Sequence, residues 1–147
     1  MTQQRTWDLL ERRASGRVEE TMAALVKARH QVQELADSQA RLGQMIVDYN
    51  RRLAALQTSA HSIGQVGIYQ NYIAQVETLC RRLAATQQVA ERQVLAAADA
   101  HREAETERAR MEYLAQAETQ RALMRAQRQD QRAMDAIAIA RHQVRQP

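Results

Sequence analysis

Apolar residues recur along this chain at alternating spacings of three and four, the signature of helices that each bury a single stripe. From Leu25 the stripe runs through Ala28, Val32, Leu35, Gln39, Leu42, Ile46, Tyr49, Leu53 and Leu56, and Gln39 is its one polar interruption. A second stripe starts at Tyr69 and continues through Tyr72, Val76, Leu79, Leu83, Thr86, Ala90, Gln93, Ala97, Ala100 and Ala104 to Met111 and Leu114. Between the two lies TSAHSIGQVG, whose two glycines and two serines suit the end of one helix and the start of another. Two helical stripes that meet at a short loop predict an all-α fold, a long antiparallel two-helix coiled-coil hairpin. The expected layout is a single coiled-coil domain over 1–147, with a helix over about 3–57, a turn over about 58–67 and a helix over about 68–141.

The first arm opens with Thr2 or Thr6 as a candidate N-cap and a seam of Trp7, Leu10, Ala14 and Val18. From Ala14 to Leu25 the apolar spacing reads four, four and three through Val18 and Met22. This is a stutter, and with Gly16 beside it a weaker or straighter segment is expected. Folding about residue 62 pairs Tyr49 with Val76, Ile46 with Leu79, Leu42 with Leu83, Leu53 with Tyr72, Leu25 with Ala100 and Leu10 with Leu114. The arms are unequal, roughly 80 and 110 Å at 1.5 Å per residue, so residues after about 121 form a C-terminal helical overhang without a partner in the hairpin. Arg121, Arg125, Arg128 and Arg132 line one face of that overhang, and Leu123, Met134, Ile137 and Ile139 supply uncovered apolar area.

Composition supports the hairpin over a compact globule. Phe is absent, Trp7 is the sole Trp and the sole proline is Pro147, while Ala, Arg, Gln and Glu dominate. Such a chain makes good helices but has little with which to fill a deep core. Disorder is the competing reading of so polar a chain, and the sustained periodicity without internal prolines argues against it. Charge is uneven: residues 1–60 sum to +2, residues 61–119 to −2 and residues 120–147 to +4, which directs the search for an acidic partner to the C-terminus. The single Cys80 has no partner for an internal disulfide, which fits a reducing cytoplasm. No apolar run reaches membrane-spanning length and no signal peptide opens the chain, so a soluble cytosolic protein is expected.

Chemistry is absent from the pattern. His30, His61, His101 and His142 are scattered without metal-ligand spacing and are read as solvated helix-surface residues. Cys80 lies beside Arg81 and Arg82 but has no histidine near it in sequence. Glu103, Glu105, Glu107 and Glu112 alternate with Arg102, Arg108 and Arg110, as on a solvated helix laced with weak ion pairs. No phosphate loop, cofactor motif or catalytic set is found, so the chain is expected not to be an enzyme. Asp130 and Asp135 dilute the basic end and no aromatics interleave it, which argues against a dedicated nucleic-acid site. Bulky apolar residues there are also too few for a membrane-surface helix.

Three segments carry a resemblance. MIVDYNRRL before the turn, IYQNYIAQVETL after it and DQRAMDAIAIAR near the end, with Met134, Asp135 and Ala138 in its MD-x-x-A element, resemble the flagellar export protein FliJ family along the whole chain. The stalk proteins of virulence type III secretion are the nearest confusable family, and a generic structural coiled coil that dimerises through its unpaired end is the other alternative. The resemblance implies a soluble component of the flagellar type III export apparatus, similar to the rotor stalk of rotary ATPases. It implies that the N/C-terminal end enters the hexameric export ATPase and promotes ring assembly, and that another part contacts the cytoplasmic domain of the export gate. Binding and recycling of export chaperones, and a cytoplasmic location peripheral to the inner-membrane apparatus, are implied as well. Carried over by position, the gate-binding cluster falls on Leu42, Ile46, Tyr49, Leu53, Tyr72, Val76, Leu79 and Leu83. These are also the positions read as seam, and the two roles are compatible because the edges of a two-stranded coil stay open. The ATPase-binding end implied by the stalk falls on the overhang, at Arg121, Arg125, Arg128, Arg132, Met134, Asp135, Ile137 and Arg141.

Overall fold

A computed structural model describes residues 2–58 and 63–145, all of them helical. Helix α1 spans Thr2–Thr58 and helix α2 spans Ile63–Arg145, an all-α two-helix hairpin. Both helices are long because strong helix formers fill them and no proline interrupts them. At the end of α1 the Thr58 hydroxyl donates to the Ala55 carbonyl at 3.0 Å, occupying one of the acceptors a helix end leaves open. Helix α1 is already under way at Thr6, which excludes that residue as its cap.

The second helix begins earlier and ends later than its apolar pattern suggests. Residues 63–67, read as turn, are the first turn and more of α2, and the helix continues to Arg145 rather than stopping near 141. No described glycine has a positive φ, so Gly67 is an ordinary helical residue. A glycine lowers helix stability by about 1 kcal/mol relative to alanine, which discourages a helix without forbidding it. The remainder of the expected turn, residues 59–62 with His61, lies outside the described residues.

The chain divides into two compact units, each drawing on both helices: 1–19 with 102–147, and 20–101. In the second of these units Leu25, Val76 and Ala90 are buried, and Thr21 Oγ1 lies 3.1 Å from His101 Nδ1 across the helix pair. In the first unit Ala14, Val18, Ala104 and Ala115 are buried, and Gln4 Nε2 donates to Thr119 Oγ1 at 3.4 Å. Alanines recur among the buried residues, so the seam is narrow and each helix hides only one stripe.

Burial along α1 shows no stutter. Ala14, Val18 and Leu25 are buried, Thr21 is half-buried between them, and Met22 is 43% exposed. The spacing is therefore four, three and four, an unbroken heptad with a threonine in the place that hydropathy gives to methionine.

The seam of α2 differs from the expected one in every second layer. Tyr69, Val76, Leu83, Ala90, Ala97 and Ala104 are covered as anticipated, but the layers between them are Ile73, Cys80, Gln87, Val94 and His101. Tyr72, Leu79, Thr86, Gln93 and Ala100 are exposed instead. A stripe can step three or four residues from each shared layer, and hydropathy is divided between the two sets: it favours Leu79 over Cys80 and Ala100 over His101, but Ile73 over Tyr72 and Val94 over Gln93. Both sets mirror the layers of α1, one at an index sum of 125 (Leu56 with Tyr69) and the other at 122 (Thr21 with His101), and the contact between Thr21 and His101 fixes the second. His101 is consequently half-buried and hydrogen-bonded, not solvated.

The register shifts with the seam. Facing residues have indices that sum to 122 at Thr21 and His101 and to 123 at Gln4 and Thr119. Val76 therefore falls opposite Ile46 rather than Tyr49, and Ala97, not Ala100, falls opposite Leu25. Tyr49 meets aromatic rings instead, as described below.

Candidate functional site

Two surfaces hold the candidate residues, one in each unit. In the 20–101 unit three tyrosines cluster where the helices approach the turn. Tyr49 is half-buried, with its ring centroid 6.2 Å from Tyr69 and 6.0 Å from Tyr72. The Tyr49 and Tyr72 rings are inclined by only 21°, a stacked arrangement, and such contacts hold large rings in fixed positions. Tyr72 nevertheless stays 50% exposed, because it stands one residue outside the seam.

The eight residues implied as gate-binding separate by accessibility. Val76 is buried, and Leu42, Ile46, Tyr49, Leu53 and Leu83 are half-buried in the seam. Tyr72 and Leu79, seven apart on α2, are exposed and share one edge of the helix pair. The structure thus brings the eight together in one stretch but offers only these two openly to solvent. Met45 was not singled out by its pattern, yet it is 39% exposed, and the observed register sets it beside Leu79. Ile68, one turn before Tyr72, is also exposed. The signal that finds Met45 is position: it lies just outside a seam layer, where a large apolar residue has no packing role to explain it.

In the other unit, α2 outruns α1. Every residue from Thr119 to Arg145 is exposed, including Leu123, Met134, Ile137, Ile139 and Val144. Arg121, Arg125, Arg128, Arg132, Met134, Asp135, Ile137 and Arg141 all lie on this stretch. At about 100° per residue, the four arginines at 121, 125, 128 and 132 fall within roughly 60° of helix face. Leu123, Met134, Ile137 and Val144 fall within roughly 80° on the opposite side. Ile139, grouped by composition with the apolar residues, points to the arginine side. Arg141 and Asp130 fall among the apolar ones. Met134, Ile137 and Ala138 line a shallow groove with Arg141, His142 and Arg145.

Arg125 differs from its neighbours, since its Nη2 donates to Glu118 Oε1 at 2.9 Å. The Glu118 side chain is only 15% exposed, so the pair anchors Arg125 back onto the covered part of α2. Nothing in the local spacing announces it, because the two residues are seven apart. Arg121, Arg128, Arg132 and Arg141 have no ion pair among the described residues. The acidic run further up α2 is laced as its pattern suggests, with Arg110 on Glu107 at 3.2 Å and Arg108 on Glu112 at 3.9 Å.

Among the described residues no group of three or more His, Cys, Asp or Glu side chains is placed to hold a metal ion, and no helix is long and apolar enough to cross a membrane. The two surfaces are a fixed aromatic and aliphatic edge and a bare amphipathic helix. A model of the family described as flagellar FliJ protein matches residues 6–147. No curated protein and no solved structure matches the chain.

Proposed function

The chain belongs to the flagellar FliJ protein family, and on that basis we propose that it is the soluble, non-catalytic stalk component of the flagellar type III export apparatus. In this reading the N/C-terminal end binds the hexameric export ATPase and promotes ring assembly. The Tyr72 and Leu79 edge contacts the cytoplasmic domain of the export gate, and the protein escorts export chaperones. It works in the cytoplasm, held to the inner-membrane apparatus only through these partners.

The observation that carries the reading is the length difference between the helices. A stalk that enters a ring must present a narrow, accessible element, and residues 119–145 are a single helix exposed over its whole circumference. Most helical stability in proteins comes from packing, so this bare stretch gains most of its order from whatever surrounds it. The exposed apolar residues and arginines give a partner both area and charge to grip. The test is truncation after Thr119. The shortened chain is expected to fold and to lose stimulation of the cognate export ATPase and of its ring assembly; full stimulation by the truncated protein would refute the assignment.

A further inference from the structure

The apolar stripe of the overhang contains two opposite charges. At heptad spacing it runs Gln127, Asp130, Met134, Ile137, Arg141 and Val144, all exposed. Asp130 has no basic residue three or four positions away along the helix, and Arg141 has no acidic one. The two stand eleven residues apart, about 16 Å along the axis, too far to pair with each other. We propose that the overhang pairs, antiparallel, with the overhang of a second copy of this chain, forming a dimer of the free protein. Two copies whose facing indices sum to 271 set Asp130 against Arg141 of the second copy, and Arg141 against its Asp130. The same alignment sets Met134 against Ile137 and Gln127 against Val144, and two-fold symmetry repeats each layer. Every layer then joins an a position to a d position, as antiparallel packing requires. Beside the layers Ala133 falls near Ala140 and Gln131 near Ala138, so no like charges crowd the flanks.

The two charges select this arrangement over its competitors. A parallel pair in register sets Asp130 on Asp130 and Arg141 on Arg141, which is repulsive in both layers. An antiparallel pair one heptad away in one direction puts Asp130 on Met134 and Arg141 on Leu123; in the other direction Arg141 meets Ile137. Each leaves a charge against hydrocarbon. Arg121, Arg128 and Arg132 lie on the far side of the helix and stay clear of the pairing. There is also room for it. Gln4 faces Thr119, so α1 begins opposite about residue 121, whereas Arg145 of the second copy reaches only to residue 126. With only two of six layers apolar on both sides, the interface is small and the dimer weak, on the order of 10–100 µM. Dilute protein is therefore monomeric, with the overhang bare. The proposal does not depend on the stalk reading, but a copy paired in this way has Met134, Ile137 and Arg141 covered.

Sedimentation equilibrium of the full-length protein from about 5 to 500 µM tests the proposal, with helicity checked by circular dichroism. Wild type is expected to pass from monomer to dimer across that range. Asp130→Arg and Arg141→Asp each place like charges in two layers, and each is expected to weaken dimerisation about tenfold or more. The double variant, Asp130→Arg with Arg141→Asp, restores opposite charges in both layers. So does an equimolar mixture of the two single variants. Both are expected to dimerise within about threefold of wild type. A wild type that stays monomeric overturns the proposal and leaves the stripe to a different protein. A dimer that neither single variant weakens is held by another surface and overturns it too. Weakening that neither the double variant nor the mixture repairs would mean that Asp130 does not face Arg141, and the proposal falls. None of these outcomes alters the truncation test of the stalk reading.

Discussion

Thr21 and His101 face each other across the helix pair at 3.1 Å, a polar layer inside a seam that is otherwise mostly apolar. The pair occupies a layer next to the buried Leu25 in α1 and one layer from the half-buried Ala97 in α2. A polar layer in a coiled coil holds alignment at some cost in stability, because the same volume filled with hydrocarbon is more favourable. Replacing both residues with leucine is therefore expected to raise unfolding stability by about 1–2 kcal/mol. Thermal and denaturant unfolding followed by circular dichroism measure it. A double variant less stable than wild type would mean that the contact contributes more than alignment.

Gly16 lies within α1, between the buried Ala14 and Val18. A methyl group built there meets nothing within 4 Å, and the residue has no positive φ. Gly16→Ala then acts on the unfolded chain and on helix propensity alone, for a gain of about 0.5–1 kcal/mol. The same unfolding experiments decide it, and a loss of stability would show that the open space is used in a way the geometry does not reveal.

Packing and exposure fall on different residues of the 20–101 unit. Leu25 is 4% exposed and carries the seam, so Leu25→Ala is expected to cost about 2–3 kcal/mol. Leu79 is 46% exposed, and Leu79→Ala is expected to cost well under about 1 kcal/mol. If that edge is the contact with the export gate, Leu79→Ala weakens capture of the gate's cytoplasmic domain while its unfolding curve stays near wild type. Capture at wild-type strength by Leu79→Ala and by Tyr72→Ala would remove the edge from the interface.

The same edge shows how far the residues alone could be read. Two long helices, their antiparallel order and an uncovered C-terminal stretch follow from periodicity and from unequal arm lengths. The phase of the α2 seam does not. Leu79 is more hydropathic than Cys80, yet Cys80 is the covered one, whereas between Tyr72 and Ile73 the aliphatic residue is covered. The choice belongs to the register between the helices, and hydropathy along α2 alone points both ways, to Ile73 and Val94 for one set and to Leu79 for the other. Met22 and Thr21 repeat the lesson in α1. Hydropathy picks the methionine and invents a stutter, whereas the threonine has a partner across the pair and keeps the heptad. Of the candidate site, the overhang was legible because exposure there follows from length. The division of the eight residues implied as gate-binding into packed and accessible ones was not, because it depends on that one-residue phase.

The Glu118 and Arg125 pair marks where covered helix gives way to bare helix. Upstream, Ala115 is buried and Thr119 accepts from Gln4 while donating to the Ala115 carbonyl at 3.0 Å. Downstream, no residue to Arg145 is covered by another element. Helix without tertiary contact opens at little cost, so amide exchange is expected to rise steeply beyond about residue 125 in the free protein. The ion pair, with one side chain mostly covered and the other mostly exposed, adds at most about 1 kcal/mol, and it acts at the boundary. Glu118→Gln removes the charge and keeps the shape. It is expected to leave global stability almost unchanged and to increase exchange over the turn from 119 to 125 by roughly two- to fivefold, an effect that salt would mimic in wild type. Uniform slow exchange through residues 125–145 in the free protein would contradict the first expectation. An unaltered profile in Glu118→Gln would show that the ion pair has no part in holding the start of the overhang.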